Sequence, residues 1–86
     1  MTHTIVVEVQ NHPGELARIV NLFAARSMNI ETLVVGRASA DNVSTITVTT
    51  NADTRTTEQV ARLLDKQVRV LSACVQSGED NHESVL

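Results

Sequence analysis

Aromatic side chains are almost absent: among Phe, Tyr and Trp, the 86 residues hold only Phe23. Proteins that grip single-stranded nucleic acid stack its bases on such rings, so this chain lacks the means. Cysteine is equally scarce. Cys74 stands alone, which excludes an internal disulfide and gives no sign of an oxidising compartment. Three glycines, Gly14, Gly36 and Gly78, lie far apart and cannot form a glycine-rich phosphate loop. No apolar run approaches the roughly 18–20 residues of a membrane span, and the start of the chain lacks a signal-peptide pattern, so a cytoplasmic home is expected. An excess of one charge is missing too. The formal charge is −3, yet Glu79, Asp80 and Glu83 sit in a stretch from residue 77 onward that carries no Lys or Arg. Without those three acids, the acids and bases of residues 1–76 balance. That neutral body has no basic footprint for nucleic acid or an anionic membrane.

What is present is periodicity. A hydrophobic share of 42% with 20% charged residues suits one small globular domain. In residues 4–10, Ile5, Val7 and Val9 recur at period two, the mark of a half-buried strand. Asn11-His12-Pro13-Gly14 breaks it with turn chemistry. From Glu15 the period lengthens: Leu16, Ile19, Val20 and Phe23 predict a buried helical stripe, with Glu15, Arg18, Asn21 and Arg26 mostly on the opposite side. Residues 29–37 alternate again, with apolar groups on both faces, as expected of a strand covered on both sides, for instance by a partner chain. A third strand is expected at 43–50. A second helix, opened by a Thr56–Gln59 capping box, buries Val60, Leu63 and Leu64, and a last strand covers 68–76. The order is βαββαβ. This α+β, ferredoxin-like arrangement puts both helices on one face of a four-stranded antiparallel sheet. The other face and the edges need cover, and self-association supplies it in a chain without disulfides.

Catalysis finds little support in these residues. Cys74 alternates with Val70 and Ser72 and reads as a small core residue. His3, His12 and His82 share no metal-site spacing with it. The fold also hosts acylphosphatases, but residues 11–15 contain no Arg to cradle a phosphate. The same turn suits a ligand better, because the first N–H groups of a helix lack intrahelical acceptors and favour an anion. Gly14 would admit a ligand to the backbone, or would merely relieve strain in the turn. Asn29 reads either as a helix C-cap or as an amide facing the edge of a symmetric dimer.

Taken in order, Asn11-His12-Pro13-Gly14-Glu15-Leu16-Ala17-Arg18, Leu22-Phe23-Ala24-Ala25-Arg26 and Asn29-Ile30-Glu31-Thr32-Leu33 resemble an ACT domain. More narrowly, they resemble the regulatory (small) subunit of acetolactate synthase, also called acetohydroxyacid synthase. Glu58-Gln59-Val60, Leu63, Lys66, Val68 and Val70 follow the same pattern, so the resemblance covers about residues 4–76. It implies an ACT domain over 1–76 and a flexible acidic tail over 77–86. The chain departs from the pattern at Ser27-Met28, where a small-plus-aromatic pair is frequent, and at Arg69, where an acid is common. It also ends where longer members continue into a further domain.

The resemblance further implies a non-catalytic subunit that binds and activates the catalytic chain and mediates feedback inhibition by valine. Thiamine diphosphate, Mg and FAD are then expected only in that catalytic partner, and no cofactor in this chain. Two copies would pair into an eight-stranded sheet. The effector would bind Asn11, Pro13, Gly14, Glu15 and Leu16 of one copy, with Asn29 and Ile30 of the other. Backbone N–H groups around Gly14 to Leu16 would take its carboxylate. The alternatives are a free-standing ACT sensor of another amino acid and, further off, an acylphosphatase-like enzyme.

Overall fold

The computed structural model describes residues 2–37 and 41–76, so the expected acidic tail lies outside the described residues. The elements run β1 (His3–Gln10), α1 (Glu15–Ala25), β2 (Ile30–Arg37), β3 (Val43–Thr50), α2 (Thr54–Asp65) and β4 (Val70–Gln76). The strands form one sheet in the order β2-β3-β1-β4, each neighbour antiparallel. This is the expected ferredoxin-like fold. β1 and β2 run parallel with β3 between them, and α1 makes the crossover.

The core follows from the period-two pattern. Ile5, Val7 and Val9 of β1 and Ile46 and Val48 of β3 line one face of the two central strands. Ile19 and Phe23 of α1 and Val60 and Leu64 of α2 close over them. Burial of side chains this size contributes about 1.5–3 kcal/mol each. On the opposite face Val6, Glu8, Thr45, Thr47 and Thr49 are only half-buried. Threonine suits that surface, since its β-branch favours pleated backbone while its hydroxyl keeps polar contact, as between Thr32 and Thr49.

Several local expectations are corrected. α1 buries Glu15, Ile19 and Phe23, while Leu16 is 42% exposed, so Glu15 and Leu16 exchange their anticipated environments. The first turn of the helix lies over the ends of β1 and β3, and Glu15 is buried there. α2 starts two residues before the Thr56 position, because Asp53 is the N-cap and accepts the Thr56 N–H at 2.7 Å. Its buried stripe is Thr57, Val60, Ala61 and Leu64, with Leu63 half-buried. β4 begins at Val70, and Val68 is 88% exposed in the turn before it. Cys74 is exposed on this edge strand rather than a core residue.

The end of α1 explains one departure from the family pattern. Ser27 adopts φ 59, its N–H reaches the Ala24 carbonyl at 3.0 Å, and the Met28 N–H reaches the Phe23 carbonyl at 3.1 Å. These two bonds make a Schellman motif, with a left-handed residue followed by an apolar one. Met28 is buried in the core beside Phe23, as that motif requires. The left-handed residue is therefore Ser27, not Asn29, and Asn29 is exposed at the start of β2.

Candidate functional site

Two backbone bonds fix the end of β1. The Gln10 N–H donates to the Arg69 carbonyl at 2.9 Å and the Asn11 N–H to the Asn42 carbonyl at 2.6 Å. Asn42 sits at φ 61, a conformation that asparagine tolerates better than most residues. The chain leaves this anchored point through His12 and Pro13 and enters α1 at Gly14.

Gly14 is the N-cap of α1 with φ 85, and no side chain caps this helix. The conformation itself calls for glycine. A Cβ built there would meet nothing within 4 Å, so the backbone is also open to approach. The Glu15 N–H is taken by the His12 carbonyl at 3.1 Å, and the Arg18 N–H by the Gly14 carbonyl at 3.0 Å. The N–H groups of Leu16 and Ala17 lie between these two, in the turn whose donors have no intrahelical acceptor. Of the donors expected around Gly14 to Leu16, the Glu15 one is thus engaged, and the free set shifts toward Leu16 and Ala17.

A cleft of about 360 Å³ opens at this turn, with the buried Val9 and Ile46 at its floor and the exposed Asn11, Gly14, Leu16, Ala17 and Val35 around them. Gln10, His12, Glu15 and Ser44 complete it. An apolar floor with a few polar groups is the usual build of a small-molecule site. Glu15 is buried, with 6% of its surface exposed, and among the described residues its Oε1 has no hydrogen-bond partner. Its Oε2 lies 3.8 Å from an Arg18 nitrogen.

The structure therefore brings Asn11, Gly14, Glu15 and Leu16 together. Pro13 lies next to them and lines a neighbouring hollow with His12, Arg18 and Arg69, which Gly14 and Glu15 line as well. Asn29 and Ile30 stand apart. Ile30 pairs with Thr50 at one end of β3, while the cleft residue Val35 pairs with Ile46. Five residues of strand separate them, about 17 Å at about 3.3 Å per residue. Sequence reasoning missed Val9, Val35 and Ile46 as cleft lining, although the two-faced apolar pattern of β2 pointed at Val35.

β2 forms an edge of the sheet, and from Glu31 to Arg37 every residue is exposed. Leu33 and Val35 face the helix side, since their partners Val48 and Ile46 are core residues, and Val34 is 61% exposed on the other face. A second hollow of about 310 Å³ lies between α2 and β4, lined by Glu58, Arg62, Asp65 and Cys74 among others. Those four side chains are all exposed, which makes it a solvated groove and not a built site. Among the described residues, no three His, Cys, Asp or Glu side chains gather as a metal site, and no helix is long and apolar enough to cross a membrane.

Known proteins are similar to this chain in sequence and in fold. The family described as "AHAS small subunit-like ACT domain" matches residues 5–72. A protein of Archaeoglobus fulgidus named "Probable acetolactate synthase small subunit" is 42% identical over 71 residues, covering 83% of this chain and 45% of its own. The acetolactate synthase small subunit of Mycobacterium leprae is 36% identical over 80 residues, covering 93% of this chain and 47% of its own. Among solved structures, the acetolactate synthase small subunit of Thermotoga maritima superposes with a TM-score of 0.83 at 28% identity, covering 91% of this chain and 48% of that one. The chain spans about half the length of these relatives.

Proposed function

The chain belongs to the AHAS small subunit-like ACT-domain family, and from that membership and the cleft we propose that it is a non-catalytic regulatory module. It binds and activates the catalytic chain of acetolactate synthase and, on binding valine or a related branched amino acid, inhibits it. The carbon–carbon chemistry and its thiamine diphosphate, Mg and FAD belong to that partner. This chain contributes sensing and contact, in the cytoplasm.

One observation carries the reading: the cleft is half-built in a single chain. Asn11, Gly14 and Leu16 gather beside a bare apolar strand edge, while Asn29 and Ile30 sit at the far end of the same strand. Pairing β2 antiparallel with a second copy of itself, about a two-fold axis near Leu33, sets residue 30 of one copy opposite residue 36 of the other. That pairing delivers Asn29 and Ile30 of the second copy to the open side of the cleft beside Val35. It also satisfies the unpaired backbone groups of an exposed edge. The homodimer then holds two equivalent effector sites. In each, the Leu16 and Ala17 N–H groups and the helix dipole favour the effector carboxylate, and Leu16 and Ile30 flank its branched side chain.

The test is reconstitution with the catalytic chain from the same cell, reading acetolactate formation against added valine. Activation by this chain and inhibition by valine are expected, and Asn29→Ala should weaken the valine response at least fivefold while sedimentation still shows a dimer. Asn29→Ala monomers would make that side chain structural. Co-purification with a different enzyme, together with binding of a non-branched amino acid alone, would replace this reading with a free-standing sensor.

A further inference from the structure

The two sides of the molecule differ sharply in charge. Five of the seven Lys and Arg residues, Arg18, Arg26, Arg55, Arg62 and Lys66, lie in the two helices or at their C-caps. The sheet face turned away from the helices carries none at any paired position, and Glu8 is the one acid there. A surface kept for water ordinarily holds about 25–35% charged residues, so this face is depleted of them. What it holds instead is short and stiff. Register places Cys74, Val6, Thr47 and Val34 in one row across all four strands, with Thr45 and Thr49 on either side of Thr47. The valines and threonines are β-branched and restricted at χ1. Side chains of this kind lose little rotamer freedom on contact, whereas the arginines and lysine of the helix layer lose the most. Low charge and low ordering cost are the properties of the centre of an interface.

We propose that this face is an interface between copies of the chain: two β2-paired dimers stack their bare sheets face to face as a tetramer. The inference goes beyond the regulatory reading and rests on the edge-paired dimer described with it. Area selects the occupant. Four strands about 4.8 Å apart, each about seven residues long at about 3.3 Å per residue, present about 450 Å² per chain. A stable interface covers about 800 Å² on each partner, so the face of one chain falls short. Two chains joined through β2 present about 900 Å², which suffices. Sheets stack about 10 Å apart with their side chains interdigitated, and a two-fold axis makes the match self-complementary. The same symmetry keeps the one charge clear of its copy. Leu33, Val48 and Ile5 share the row at the level of the dimer axis, and Glu8 lies three residues beyond it, about 10 Å along the strand. Its counterpart on the facing sheet lies as far on the other side, about 20 Å away along the strands. The rows holding Thr47 and Val34 are one residue from the axis, so those are the rows that meet.

The experiment is sedimentation of the whole chain across a concentration series. The wild type should pass from dimer to tetramer as concentration rises, and Thr47→Lys should raise the dimer–tetramer dissociation constant at least a hundredfold while the dimer itself persists. A second readout uses the unaltered protein and does not depend on a variant folding: methyl NMR with a soluble paramagnetic agent. At tetramer concentrations the methyls of Val6 and Thr47 should be shielded, while those of Val68, 88% exposed and outside the sheet, should broaden. A wild type that stops at the dimer, a tetramer that survives Thr47→Lys, or equal broadening of Thr47 and Val68 would each overturn the stacking and leave the edge-paired dimer intact. A wild type that stays a dimer, but whose activation of the catalytic chain is lost in Thr47→Lys, would overturn it in favour of that chain as the occupant. A wild type monomeric throughout would overturn edge pairing and stacking together.

Discussion

In the second half of the chain, β3-α2-β4, side chains close both ends of the helix. The Asp53 carboxylate accepts the Thr56 N–H at 2.7 Å, and the Gln67 amide donates to the Leu63 carbonyl at 3.2 Å. In the first half, β1-α1-β2, the same layout is left unfinished. α1 starts on an uncapped left-handed glycine, buries a carboxylate in its first turn, and ends on a left-handed serine. Its second strand is an exposed edge, whereas the last strand of the other half lies against α2. Equal topology with unequal finish separates two jobs. The second half closes both ends of its helix with its own side chains, and under the proposed function the first keeps open donors, an unmatched buried oxygen and the β2 edge for groups from outside the chain.

The strongest way to break this contrast is at the edge. Leu33→Lys combined with Val34→Lys places two charges on β2 outside the cleft, the kind of device that blunts edge pairing. We expect the dimer dissociation constant to rise at least a hundredfold, about 2.8 kcal/mol, with valine binding lost alongside it in sedimentation and calorimetry. A dimer unaffected by both lysines would place the interface elsewhere and leave the cleft without its second half.

Glu15→Val tests whether the first half gives up stability for recognition. Removing a buried, unsatisfied carboxylate oxygen and filling its place with an apolar group should raise stability by about 1–3 kcal/mol in urea unfolding of the ligand-free protein. A loss of stability would mean that the Arg18 contact outweighs the burial cost. Smaller effects of opposite sign are expected at the two left-handed positions. Gly14→Ala should cost about 1–2 kcal/mol through φ alone, since its Cβ meets no neighbour. Ser27→Gly should gain about 1 kcal/mol by relieving the same strain. Equal signs for the two would contradict the backbone conformations described above.

Much of this architecture was legible in the pattern of the chain. Ile5, Val7 and Val9 alternate because one face of β1 is core, and Leu33, Val34 and Val35 are apolar on both faces because β2 has no neighbour of its own on one side. The burial of Glu15 was not legible. Glu15, Ile19 and Phe23 stand at i, i+4 and i+8, so periodicity itself allows Glu15 on the buried stripe; residue type argued against a carboxylate there, and so Glu15 and Leu16 exchanged places. The start of α2 was obscured by plenty: Thr54, Thr56 and Thr57 all offer hydroxyls suited to capping, and the competition is settled by the carboxylate one residue earlier. In the candidate site, the turn chemistry of Asn11 and Gly14 marked a place for a ligand. The separation of Asn29 from it depends on strand register, which local sequence does not encode.

The smallest effect sharpens the comparison from the stable side. The hydrogen bond from the Thr56 backbone N–H, with further help from the Thr56 side chain and from nearby Arg55 and His3, holds the Asp53 carboxyl below its ordinary pKa. A group whose pKa is depressed by folding stabilises the native state once it is ionised in both states, and that contribution disappears as pH falls through the folded value. The Asp53 contribution should therefore be constant above about pH 5 and fade from about pH 4 downward. Asparagine caps a helix nearly as well as aspartate but carries no charge, so the melting temperatures of the wild type and Asp53→Asn should differ by only a degree or two at pH 7. That difference should shrink below pH 4 while the other carboxylates, common to both proteins, cancel. A gap that stays constant into acid would mean that the cap works through hydrogen-bond geometry alone. The contrast with the first half would then rest on which donors are satisfied, and charge would matter only at Glu15.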